Sequence, residues 1–161
     1  MTTELVLPTA DDTHALGESI GRLLRPGDLV ILDGALGAGK TVVTKGIAVG
    51  MGVTGIVMSP TFVIARVHRP ARPGGTTLVH VDAYRLGGAL ELDDLDLDTD
   101  LTDAAVVIEW GEGRAEQLAD DHLLVHLQRH PDDTRTARLT GAGPRWSALA
   151  ERLVADATSR A

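Results

Sequence analysis

The chain reads as an α/β domain, with helices layered on a mixed, mainly parallel central sheet and a late β-hairpin. Three observations predict this. Apolar runs at residues 28–33, 63–67, 76–81 and 104–108 have the length and bounds of buried strands. Segments with helical spacing are interleaved with them over the first two-thirds of the chain. Residues 122–128 and 135–140 then alternate apolar and polar side chains around a turn, as paired antiparallel strands do.

The elements follow in order. Residues 4–7 form a short strand. Thr9 and Asp12 stand at capping-box spacing, and Leu16, Ile20, Leu23 and Leu24 continue at helical spacing until Pro26-Gly27 stops the helix. The strand at 28–33 leads into a glycine-rich turn and a helix over 42–51, which Gly52 and Gly55 break. Ser59-Pro60-Thr61-Phe62 is a loop before the strand at 63–67. Residues 69–75 form a Pro/Gly/Arg turn, and residues 90–97 a short acidic helix. Pro144 opens a last helix with Trp146, Leu149, Ala150, Leu153 and Val154 on one face.

Composition bounds the class. At 161 residues with 43% apolar content, residues 1–161 read as one folded domain with a sizeable core. Phe62, Tyr84, Trp110 and Trp146 are its only aromatics, so Leu, Val, Ile and Ala must build that core. Cysteine is absent, which excludes disulfides and thiolate metal sites. No leader pattern and no membrane-length apolar run is present, so a soluble cytoplasmic protein is expected. A net charge of −8 argues against autonomous nucleic-acid binding, which needs a cationic surface.

The chemistry-bearing segment is Gly34-Ala35-Leu36-Gly37-Ala38-Gly39-Lys40-Thr41, with Val42 next. It fits G-x-x-x-x-G-K-[ST] between a strand and a helix, the setting of a phosphate-binding P-loop. Lysine occurs only at Lys40 and Lys45, so the match does not come from abundance. Glycines let the backbone wrap phosphates, Lys40 offers an ammonium to the β- and γ-phosphates, and the Thr41 hydroxyl can ligate Mg²⁺. A P-loop enzyme also needs an acid at a neighbouring strand end. Asp82 and Glu109 both sit there, and the sequence does not decide which holds the ion and which orients water. His80 is read as a packed strand residue or as a support for Asp82. Thr61 is a candidate sensor of the γ-phosphate. The alternating Asp94, Asp96, Asp98 and Asp100 fail the EF-hand template and read as a solvated face or a docking surface for a basic partner.

Taken together, Leu36–Thr41, Ser59-Pro60-Thr61-Phe62, His80-Val81-Asp82-Ala83-Tyr84-Arg85 and Glu109-Trp110 resemble the bacterial TsaE (YjeE) family over about residues 3–141. Thr13, Leu16 and Gly17 also resemble its N-terminus. Ala35 and Gly111 depart from the family pattern, and neither removes a phosphate or metal group. The resemblance implies a three-layer P-loop NTPase domain that binds ATP or ADP with Mg²⁺. It implies an ATPase supporting turnover of TsaD and TsaB, which make threonylcarbamoyladenosine in tRNA, with tRNA reached through that complex; a complete site in a small domain without a substrate domain adds the expectation that hydrolysis is weak alone and modulated by those partners. It places Thr41, Glu109 and Asp82 at the metal, Trp110 near the nucleotide, Thr13 towards adenine and Arg135 as a further nucleotide contact. A regulatory GTPase is excluded in its usual form, because the chain has no asparagine for a guanine reader. A small-molecule kinase with a lid drawn from Arg66, Arg69 and Arg72 is one alternative. A non-catalytic module switched by ATP is another.

Overall fold

A computed structural model describes residues 2–35, 37–54, 65–82, 103–109 and 121–159. Their strands are β1 (Thr2–Leu7), β2 (Leu29–Gly34), β3 (Ala65–His68), β4 (Thr77–Asp82), β5 (Ala104–Glu109), β6 (His122–Arg129) and β7 (Arg135–Ala142). The helices are α1 (Ala10–Leu23), α2 (Lys40–Met51) and α3 (Pro144–Ser159). The expected acidic helix at 90–97 and the loop at 59–62 lie outside the described residues.

The strands form one sheet in the order β1-β7-β6-β2-β5-β4-β3. The four central strands are parallel: β2 pairs with both β5 and β6, and β4 with β5. The flanking pairs β1–β7, β6–β7 and β3–β4 are antiparallel. This is the mixed sheet and late hairpin that the alternation predicts. Both faces of the central strands are buried, as a three-layer arrangement requires. Val30, Leu32, Val107, Leu123 and Val125 share one core with all three helices. Leu29, Ile31, Val106 and Ile108 are equally buried at the alternate positions.

Each helix has a local cause. Thr9 caps α1: its hydroxyl accepts from the Asp12 amide at 3.2 Å, and the Asp12 carboxylate accepts from the Thr9 amide at 2.9 Å. Leu16 and Ile20 then bury the apolar stripe of that helix. On α3, Trp146, Ala150 and Leu153 are buried at helical spacing. Arg145 ties the start of α3 to the base of β2, where its guanidinium grips the buried Asp28 carboxylate through two bonds of 3.1 and 2.7 Å.

The packing of α1 on α2 is closer than side chains allow. Gly17 and Gly21 of α1 face Gly46 and Gly50 of α2. A Cβ at Gly17 would overlap the Val43 carbonyl oxygen, and one at Gly46 would overlap the His14 carbonyl oxygen. The contacts advance in step along both helices, so α1 and α2 run parallel and start side by side. A glycine in an exposed helix is about 1 kcal/mol worse than alanine, so Gly→Ala in such a place stabilises. Here the sign should reverse. Gly17→Ala or Gly46→Ala is expected to cost about 1–3 kcal/mol by overpacking, measured by denaturant unfolding. A gain in stability from either change would contradict the close seam.

Candidate functional site

The parallel strands β2, β4, β5 and β6 end on the same edge of the sheet, and the antiparallel β7 begins there. This brings Gly34, Asp82, Glu109, Arg129 and Arg135 to one rim. Open α/β sheets bind ligands at such a rim.

The P-loop leaves β2 at Gly34 and enters α2 at Lys40. Gly37 and Gly39 hold φ of 84° and 111°, a region that favours glycine. A Cβ at Gly34 would stand 2.6 Å from the Leu127 carbonyl oxygen, so this position must also lack a side chain. Gly39 is the N-cap of α2 and supplies no side-chain cap, and no acidic residue occupies the first turn. The neighbouring α1 satisfies its own first turn through Thr9 and Asp12. Of the two adjacent helix starts, only that of α2 is left without a side-chain acceptor. Uncapped N–H groups with the positive helix end suit an anion.

Lys40 reaches back across the loop. Its ammonium donates to the Gly34 carbonyl at 2.5 Å and to the Ala35 carbonyl at 3.4 Å, which keeps the charge at the mouth of the loop. Thr13 is buried at the start of α1, and its methyl would lie 3.4 Å from a Cβ at Gly39. Arg135 donates from Nε to the Ala38 carbonyl at 3.2 Å. Arg129, directly opposite Arg135 in the hairpin, lies beside Gly37. It was not among the residues the sequence singled out. It stands one residue past the alternating run expected at 122–128, and the pairing that carries it to the loop is non-local. Asp133 accepts from Arg129 and so offsets the like charges of this cross-strand pair.

Glu109 ends β5 and is buried, with 4% of its surface exposed. The Thr41 hydroxyl donates to its Oε1 at 3.4 Å. Its other oxygen, Oε2, lies 2.6 Å from His80 Nε2. His80 is thus engaged with Glu109 across one strand pair. In the β4–β5 register Asp82 is the partner of Glu109, and Leu32 of β2 flanks Glu109 on the other side. Leu36, Thr61, Trp110 and the Asp82 side chain lie outside the described residues. Val42 sits in the first turn of α2.

Two oxygen donors on adjacent elements, beside an uncapped helix start, fit a hard cation that also takes phosphate oxygens. Among the described residues no group of three His, Cys, Asp or Glu is gathered. A cation here would therefore need ligand and water oxygens as well, which is how Mg²⁺ is commonly held.

His68 closes the edge strand β3 at the end away from this rim, where its register partner is Leu78. Burial holds its pKa below the ordinary 6.5, and the charges of His80 and Arg66 add to that, against a hydrogen bond with the Thr54 backbone. The unfolded chain then takes up a proton at His68 more readily than the folded one. Stability from this residue is present above pH 6.5 and is lost as pH falls below it. His68→Gln should lose less of its melting temperature between pH 7 and pH 5.5 than the wild type, by thermal unfolding at matched ionic strength. An equal loss would contradict the assignment.

Known proteins resemble this chain in sequence and in fold. The family model for "Threonylcarbamoyl adenosine biosynthesis protein TsaE" matches residues 7–137. A "tRNA threonylcarbamoyladenosine biosynthesis protein TsaE" from Streptomyces coelicolor is 54% identical over 137 residues, covering 82% of this chain and 92% of the relative. The protein of the same name from Mycobacterium tuberculosis H37Rv is 56% identical over 138 residues, covering 81% and 82%. The crystal structure of Bacillus subtilis YdiB superposes with a TM-score of 0.76 at 31% identity, covering 95% of this chain and 94% of that one. Among the described residues no helix is long and apolar enough to cross a membrane.

Proposed function

This chain belongs to the TsaE family of threonylcarbamoyl adenosine biosynthesis proteins, and from that membership we propose that it is the ATP-hydrolysing component of the bacterial machinery that makes threonylcarbamoyladenosine in tRNA. Its partners in this reading are TsaD and TsaB. The transfer to adenosine belongs to them, and this chain supports their repeated turnover. The net charge of −8 supports a role in which tRNA is held by the partners.

The observation that carries the reading is the uncapped, lysine-bearing start of α2 facing the buried Glu109 across Thr41. The backbone of Gly34, Leu36, Gly37, Ala38, Gly39 and Val42 would cradle the phosphates. Lys40 would exchange its loop carbonyls for β- and γ-phosphate oxygens, which a flexible ammonium does at little strain. Thr13 and Arg135 would bound the nucleotide from α1 and the hairpin, with Trp110 and Thr61 as further contacts. Thr41 and Glu109, with Asp82 beside them in register, would hold Mg²⁺, which would supply positive charge to offset the charge of the transferred phosphoryl group. Glu109, so placed, would accept a hydrogen bond from the attacking water. The rest of the chemistry is positioning and charge stabilisation.

The kinase alternative draws less support. Arg72 packs by Gly52, at the far end of the 12-residue α2 from the P-loop, which does not favour that turn as a kinase lid over the phosphates. A module that only binds ATP with its metal would use the same buried acid, and the use of a non-hydrolysable analogue separates the two.

The test is reconstitution with cognate TsaB and TsaD, following tRNA modification over many turnovers. Sustained modification is expected with the wild-type chain and ATP. Lys40→Ala should lower the sustained rate by about 100-fold, the scale of losing one charge-stabilising donor. Sustained modification without this chain, or undiminished with Lys40→Ala, would refute the reading. A non-hydrolysable ATP analogue that sustains turnover would instead establish a binding switch.

A further inference from the structure

Resting on the nucleotide-binding reading above, we infer that His80 is a positioning residue for Glu109, fixing which carboxylate oxygen faces Thr41 and the phosphate site. His80 is fully buried in β4, and its register partner on β5 is Val107. Its ring therefore reaches along the strands to meet Glu109, two residues further on. With hydrogen on Nε2, the ring donates to Oε2 over 2.6 Å. Oε1 is left to face the Thr41 hydroxyl. A glutamate without such a partner turns its carboxylate freely, because that torsion is broad and two-fold. Here one oxygen is pinned inward and the other is presented.

Burial alone does not call for a histidine at this position, since Leu78 on the same face of β4 is a buried hydrophobic. What an apolar side chain could not do is partner Glu109 Oε2, which would lose its 2.6 Å contact. His80 Nδ1 is buried, and among the described residues it has no hydrogen-bond partner. A buried nitrogen left unmatched costs free energy that an apolar side chain avoids. Such a group calls for an explanation in function, and the direction of the other ring nitrogen supplies it.

The test compares His80→Gln with His80→Asn in the full chain. The glutamine amide reaches about where Nε2 stands and can donate to Glu109. The asparagine amide stops near Nδ1 and cannot. The readout is binding of a fluorescent ADP analogue, first without Mg²⁺ and then as Mg²⁺ is titrated in. Both variants should bind the analogue without Mg²⁺ as the wild type does. The Mg²⁺ midpoint should stay near wild type in His80→Gln and rise about 10-fold or more in His80→Asn, the usual effect of losing the support of a metal ligand. Equal midpoints in the two variants, whether both unchanged or both raised, would overturn the inference. A wild-type chain that binds no analogue would overturn the nucleotide reading itself, a separate and distinguishable result.

Discussion

Four glycines set the distance between α1 and α2, and the site depends on that distance. Gly17 and Gly21 meet Gly46 and Gly50 backbone to backbone, where a Cβ at any of them would strike a carbonyl of the opposite helix. The helix propensity forgone by four glycines is about 4 kcal/mol relative to alanine. What is gained is position. The two helices run parallel and begin together, so Thr13 of α1 lies against Gly39 of the P-loop. Because Thr9 and Asp12 close α1 upon itself, the adjacent start of α2 is the one that can receive an anion.

The sheet supplies the complementary half. Parallel strands β2, β4 and β5 carry the P-loop, Asp82 and Glu109 to the same rim, in adjacent register. The hairpin of β6 and β7 then turns back to place Arg129 and Arg135 along the loop's outer side. The Asp28–Arg145 grip holds the base of β2 at the opposite end. The loop is thus held by its entry strand, its exit helix, a neighbouring helix and a hairpin, and the acid that faces it is held by a fifth element through His80. Such support from several directions is what fixed charge stabilisation requires.

Much of this was legible in the sequence where the signal was local. The P-loop, its strand and helix, the Thr9 cap and the Trp146 face all rest on spacing within about one element. Glu109 and Asp82 were legible as strand-end acids. The glycine seam was also written locally, as glycines four apart in each of two helices, but the partner of each helix was not. Long-range pairing was less accessible still. Nothing near Glu4 announces that its strand lies beside β7, and nothing near His80 announces Glu109 rather than Asp82. These contacts follow from strand order and register, which arise only when distant segments pack. Arg129 escaped for the same reason. The family resemblance narrowed the function to threonylcarbamoyladenosine biosynthesis, which the P-loop alone could not do, and the family match over residues 7–137 agrees with it.

The central claim is that Thr41 and Glu109 form, with the uncapped start of α2, a site for a nucleotide and its metal. The most direct measurement is calorimetric titration of ATP into the wild-type chain and into Thr41→Ala, with and without Mg²⁺. One nucleotide should bind per wild-type chain, more tightly with Mg²⁺, and Thr41→Ala should lose that Mg²⁺ enhancement while keeping its metal-free affinity. The absence of ATP binding to the wild type, or an undiminished Mg²⁺ enhancement in Thr41→Ala, would contradict the claim.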